Sequence, residues 1–387
     1  MDHTAAATAV KPAPSSVEGL IPAKSHRKPA LPALTGIRTL LAVNIIFFHF
    51  SDPAMFGLYA PVVNNAFVFV GCFFLLSGFI LAYNYADRGA TLTKREFWLA
   101  RFSRLYPVYV LALLLSCQML ELEWHYQTRT HFLEGIILTP LMLQGLSPLL
   151  ATFWNTVAWT LSSEVMLYIA FPYLIGMRWP RETKKLAWMV LGFWALGFIL
   201  PVLYLVFQPD GIAHTNRFSP GMYLRALKFT PLPYIPTFLA GLALGMLQSG
   251  AKISNRARAW MAGTGLLLLA AIFHWWIGYL PYPMLHTGML TPVFALLILG
   301  LSGDHWISKI FAVRPMVIVG EATYCIYLLH FNCIVLLSKY KVSARLGIAS
   351  WEPWFSYGVA VALALAAYYA VENPARRWIL KRWSHKR

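Results

Sequence analysis

Long apolar stretches alternate with short polar ones along almost the whole chain. Runs of membrane-crossing length fall at about 34–51, 66–85, 104–120, 159–177, 186–207, 233–248, 258–277, 286–302, 316–338 and 355–375, near the roughly 20 residues an α-helix needs to traverse hydrocarbon. The pattern predicts an all-α polytopic membrane protein of about ten transmembrane helices. An eleventh apolar run, 132–147 (FLEGIILTPLMLQGLS), is shorter, carries Glu134 and is interrupted by Pro140 and Gly145. Hydropathy alone leaves it free to span or to dip back.

Charge decides between those two readings, because Lys and Arg in short loops mark the cytoplasmic side. With 132–147 not spanning, one face collects 24 Lys and Arg residues and the other seven. If that run crossed, the cluster Arg178, Arg181, Lys184 and Lys185 would be pushed outside. Ten spans with both termini cytoplasmic follow. The same bias absorbs most of the net charge of +17 as a topological signal plus attraction to anionic headgroups, so no nucleic-acid partner is needed to explain it. Composition agrees with a bilayer as the surrounding solvent: 58% of residues are hydrophobic, 12% charged, and the mean hydropathy is +0.57, beyond what a soluble core requires.

Residues 1–30 are rich in Ala, Pro and Ser and lack an apolar stretch of signal length, and read as a disordered cytoplasmic tail. Residues 31–380 form one membrane domain and 381–387 a basic stub, which leaves no room for a second soluble domain. Cys72, Cys117, Cys325 and Cys333 all fall in apolar runs without metal-ligand spacing, and read as packing residues. Neither a bound metal nor a glycine-rich phosphate loop is expected, and no internal repeat is visible.

Ionisable groups inside hydrocarbon are expensive, so they locate the chemistry. Arg38 and His49 are eleven residues apart, about 16 Å along a helix with only about 20° of rotation between them. They share one face, with Arg38 toward the cytoplasm. Such a stripe suits a long phosphate-headed molecule such as coenzyme A. The guanidinium grips phosphate and the imidazole takes a proton from an attacking hydroxyl. Two side chains snorkelling to opposite interfaces would produce the same spacing. Glu164, in TVAWTLSSEVMLYIAFPYL, enters from the outer side at about the level of His49 and is expected to orient the imidazole, as the acid does in a hydrolytic triad. Its alternative role is to cap the helix start through Ser162 or Ser163. The segment TKREFWLARFSRLYP is an amphipathic interfacial stretch in which Arg101 and Arg104, at i and i+3, lie side by side to anchor to lipid or clamp a polyphosphate.

These residues also carry a family resemblance. LPALTGIRTLLAVNIIFFHF resembles the first helix of the acyltransferase family 3 membrane enzymes, which carries an Arg, ten residues, then a His: here Arg38 and His49. FVFVGCFFLLSGFILAY is similar to the family's Ser-Gly-Phe helix through Ser77, Gly78 and Phe79, and Arg101 and Arg104 followed by Leu-Tyr-Pro match its Arg-x-x-Arg pair. AWTLSSEVMLYIAFPYL resembles the usual Trp-Ser-Leu-Ser-x-Glu-Trp through Trp159, Leu161, Ser162 and Glu164, while Thr160 and Val165 depart from it. EATYCIYLLHFNCIVLL is similar to the late Tyr-x-x-Tyr-Leu-Leu-His helix through Tyr324, Tyr327 and His330, and VENPARRWI to the terminal Glu-x-Pro through Glu372 and Pro374.

The resemblance implies an acyl-CoA-dependent O-acyltransferase, commonly an acetyltransferase, that modifies hydroxyls of extracytoplasmic carbohydrates or glycosides in a bacterial inner membrane. Many such enzymes carry an additional C-terminal hydrolase-like domain. This chain lacks one, and is expected to act alone or with a separate periplasmic partner. On this reading His49 is the base, Glu164 its orienting acid, and Arg38, Arg101 and Arg104 hold acyl-CoA. His330, Tyr327, Trp159 and Ser77 line the substrate cavity, and Glu321 and Glu372 are structural. The competing class is a proton-coupled transporter or glycolipid flippase, since buried Arg, His and Glu in ten helices also describe a carrier. The lack of a repeat relating the two halves argues against it.

Overall fold

The computed structural model describes residues 28–384, and all regular elements among them are helical. In chain order the elements used below are α1 (Pro32–Phe50), α2 (Phe69–Tyr85), α3 (Lys94–Leu115), α4 (Arg129–Leu138) and α5 (Trp159–Ile175). They continue with α6 (Thr183–Phe207), α7 (Met222–Phe229), α8 (Ile235–Gly250), α9 (Asn255–Tyr279), α10 (Tyr282–Leu301), α11 (Arg314–Glu321), α12 (Thr323–Lys339) and α13 (Trp354–Trp383). Seven helices among the described residues are long and apolar enough to cross a bilayer, and nine segments are if two bent pairs each count as one span. The pairs are α7 with Leu232–Gly250, bent by 46°, and α11 with α12, bent by 69°. The remaining expected span, α5, has 17 residues, about 26 Å of rise against a hydrocarbon core near 30 Å. Up to residue 27 the expected cytoplasmic tail lies outside the described residues, as do the last three residues of the basic stub.

Burial ranks these helices from the centre outward. In the most apolar window of the Pro53–Tyr85 segment, which ends in α2, 83% of the residues are buried, against 17% in α6. A helix apolar on every side belongs in the middle of a bundle, and α2 packs there against α8. Their backbones nearly touch: a Cβ on Gly78 would stand 2.2 Å from the carbonyl oxygen of Phe238, and one on Gly241 2.3 Å from that of Leu75. Small residues permit this approach, which replaces the missing hydrophobic drive between helices in lipid by dispersion contacts. The same device seats α11 on α1, where a Cβ on Gly320 would meet the Thr35 carbonyl at 2.0 Å. Leu114, Trp188, Val206 and Leu267 point outward, as a lipid-facing surface demands. Trp275, Tyr279 and Trp354 are exposed at helix ends, where amphipathic rings favour the interface. Cys72, Cys325 and Cys333 are buried packing residues, whereas Cys117 is exposed.

The ambiguous run 132–147 does not form a spanning helix. α4 ends after 10 residues, about half the hydrocarbon thickness, and residues 139–158 continue as irregular backbone with positive φ at Met142 and Trp154. Non-helical backbone at membrane depth is tolerated where protein satisfies it, and here it is satisfied. Thr139 O accepts from Tyr109 Oη at 2.6 Å, and Met142 O accepts from Ser162 Oγ at 2.7 Å. The same Ser162 Oγ accepts from Gly145 N at 3.0 Å, while Asn155 donates to Leu328 O at 3.3 Å. Ser162 therefore ties this segment to α5.

Candidate functional site

The breaks and close crossings of the bundle leave a cavity of about 150 Å³ between α1, α2, α3, α5 and the α11–α12 bend. Its polar wall includes Arg38, Ser77, Arg101, Arg104, Glu164, Glu321 and Tyr327, and its apolar wall includes Phe73, Phe74, Leu81 and Leu161. Ser77 reaches it because Gly78, the next residue, lies in the α2–α8 crossing and turns Ser77 toward α5. There Ser77 Oγ donates to Glu164 Oε1 at 3.0 Å, and the Tyr168 hydroxyl donates to the same oxygen. Tyr168 is one helical turn beyond Glu164, the spacing at which side chains on a helix meet.

Five of the expected site residues thus share the cavity with Tyr327, but the expected pairing of Glu164 with His49 is not formed. Glu164 sits at the Arg38 end, held by Ser77 and Tyr168. The largely buried segment 139–158, of which Leu141, Leu146 and Leu149 stay exposed, packs at the start of α5, and Glu164 lies five residues further along that helix. Trp159 is also placed differently. It lines no part of the cavity but packs in the core, with its ring centroid 5.3 Å from Phe229 and 5.5 Å from Tyr234.

Arginines dominate one end. Arg104 Nε pairs with Glu372 at 3.4 Å, and Glu372, nearly fully buried, also accepts from Cys325 Sγ at 3.2 Å. Glu372 thus holds Arg104; Arg38 and Arg101 share the cavity with Arg104, and Arg376 lies close enough to Arg101, Arg104 and Glu372 to interact electrostatically. Arg101 lies over the rings of Phe97 and Tyr168 and donates weakly to Tyr85 Oη at 3.5 Å. The Nε atoms of Arg101 and Arg376 are buried without a hydrogen-bond partner. Buried N–H groups on cations call for an acceptor, and an anion with several oxygens would supply it. Arg376, one of the 24 basic residues on the expected cytoplasmic face, is not singled out by the sequence; its place four residues after Glu372 in VENPARRWI is the signal. Among the described residues no group of three or more His, Cys, Asp or Glu side chains is arranged to hold a metal ion.

The opposite end of the α1 stripe is built from histidines and aromatics. From the cavity wall at Tyr327, one turn of α12 leads to His330, which is fully buried. Its ring lies 5.5 Å from that of His49, centroid to centroid, and both rings are flanked by Phe50 and Phe331. Arg217, from the connection between α6 and α7, covers the same end. Its guanidinium lies 4.2 Å from the Phe48 ring centroid and NH1 donates to Phe48 O at 3.4 Å. Burial lowers the pKa of Arg217 from the usual guanidinium value, but that value is so high that the group stays charged near neutrality. A lone cation in a short loop gave no sign of reaching α1, so sequence reasoning missed it. Lys228 Nζ donates to Arg217 O at 3.1 Å and holds the connection in place.

Comparison with known proteins bears on this arrangement. A family model described as an acyltransferase domain matches residues 31–372. The chain is 26% identical over 378 residues to the acyltransferase MdmB of Streptomyces mycarofaciens, covering 91% of this chain and 93% of that protein. It is 22% identical over 378 residues to the peptidoglycan O-acetyltransferase OatA of Listeria monocytogenes, covering 90% of this chain but only 56% of that longer protein. No solved structure matches the chain.

Proposed function

The chain belongs to acyltransferase family 3, and from that premise we propose that it moves an acyl group, acetyl by default, from cytoplasmic acyl-CoA to a hydroxyl of an extracytoplasmic carbohydrate or glycoside. The carrying observation is a cavity lined by Arg38, Arg101 and Arg104, with Arg104 paired to the buried Glu372, whose Tyr327 wall lies one helical turn from His330, the ring neighbour of His49. Coenzyme A has the matching form, with phosphates at one end of a long arm and a thioester at the other. The Lys and Arg bias supports placing the arginine end on the cytoplasmic side, with both termini there, and the family resemblance supports a bacterial inner membrane. The name of the Listeria relative supports a sugar hydroxyl as acceptor.

In this mechanism Arg38, Arg101, Arg104 and Arg376 hold the phosphates, and the thioester reaches toward His49. The acceptor hydroxyl gives its proton to His49 as its oxygen attacks the thioester carbonyl. The C–S bond breaks, and the proton passes from His49 to the departing thiolate, leaving an O-acyl ester and free CoA. Holding donor and acceptor in one dry passage supplies the orientation that the reaction lacks in water. Glu164, fixed by Ser77 and Tyr168, shapes the donor cavity. The test is transfer of label from acetyl-CoA to a simple glycoside by the detergent-purified protein. Labelled ester in the glycoside is expected, whereas an intact thioester with every acceptor would favour a carrier.

A further inference from the structure

His330 holds a specific tautomer. Its Nδ1 faces the carbonyl oxygens of Ile326 at 3.0 Å and Tyr327 at 2.8 Å. Carbonyls only accept, so Nδ1 carries the proton. In the neutral ring that leaves Nε2 as a bare lone pair, and Nε2 is buried without any hydrogen-bond partner. A buried acceptor left unpaired is destabilising, which calls for an explanation in a helix otherwise well packed. Nδ1 is tied back to α12, so Nε2 lies on the side of the ring turned away from that helix, and the imidazole neighbouring the His330 ring is that of His49, at 5.5 Å between centroids. Two imidazoles joined N–H···N have centroids roughly 5 Å apart, so a small rotation of His49 closes the bond.

We propose that His330 is the positioning residue for His49, its Nε2 accepting the N–H of His49 and so leaving the other His49 nitrogen free as the base. The proposal rests on the transferase reading above. When His49 takes the acceptor's proton it becomes an imidazolium whose second N–H remains bonded to His330 Nε2. The proton then leaves His49 for the thiolate, and the pair returns to its starting state with atoms and charge balanced. His330 thereby fills the place that a carboxylate fills in a hydrolytic triad, and Glu164 is released from it. The charged side chain that covers this end is Arg217, over the Phe48 ring and bonded to Phe48 O.

Two conservative variants separate this role from packing. His330→Asn keeps a donor near Nδ1 for the Ile326 and Tyr327 carbonyls but loses the acceptor at Nε2. His330→Gln places its side-chain oxygen near Nε2 and loses the backbone bonds. CoA release by each is measured against pH at saturating acceptor. The expected result is a kcat loss on the order of 10- to 100-fold in His330→Asn with donor KM unchanged. His330→Gln should stay within about tenfold of wild type. The reverse ranking, with Asn active and Gln impaired, would show that His330 only braces α12, and unchanged profiles in both would equally overturn the proposal. Absence of turnover in the wild type is a different failure, that of the transferase reading itself.

Discussion

Single side chains at the arginine end divide into those that hold the fold and those that await a ligand. Glu372 belongs to the first kind, since it is 1% exposed and carries the only buried carboxylate bonded to Arg104 among the described residues. Removing it strands a partly buried cation, and Glu372→Gln should lower stability by about 2 kcal/mol once the partial exposure of Arg104 is allowed for. Thermal unfolding in detergent would register this as a lower midpoint. Arg101 belongs to the second kind, with a buried Nε that nothing in the protein accepts. A charge-assisted bond to phosphate contributes about 1.5–3 kcal/mol, so Arg101→Ala should raise donor KM on the order of 10- to 100-fold while leaving the unfolding midpoint in place. A lowered midpoint with an unchanged KM would assign Arg101 to the fold.

At the level of helices, the site depends on where two backbones cross. Ser77 meets Glu164 because Gly78 lets α2 lie directly on α8. Gly78→Leu forces the Phe238 carbonyl away, and overpacking of this sort costs about 1–3 kcal/mol or more. It should lower the unfolding midpoint and, by displacing Ser77, reduce turnover as well; a variant with wild-type stability and rate would contradict the crossing. This dependence explains what was legible in the sequence. The apolar runs revealed the helices because lipid imposes length and composition directly. Helical periodicity put Arg38 and His49 on one stripe because both lie on a single helix. The packing at the start of α5 was not legible, because it follows from the irregular segment 139–158, whose burial comes from tertiary hydrogen bonds to Tyr109, Ser162 and Leu328. Nor was the tautomer of His330, which depends on its rotamer against its own helix.

For the whole molecule the account is directional: donor enters among the arginines, acceptor approaches the histidines, and the acyl group crosses between them. If both termini face the cytoplasm, Arg181 lies inside and His214 outside; both are exposed. In a Cys117→Ser background, His214→Cys should react with an impermeant maleimide in intact cells and Arg181→Cys only after permeabilisation; the opposite pattern would invert the topology. Whether His49 and the arginines carry acyl transfer is tested by free CoA released from acetyl-CoA by purified wild type, His49→Ala and Arg38→Ala, with a simple glycoside in excess and without it. The account predicts acceptor-stimulated release by wild type, its loss in His49→Ala, and recovery of much of the Arg38→Ala rate at high acetyl-CoA. Release indifferent to both substitutions, or none from the wild type with any acceptor, would contradict it.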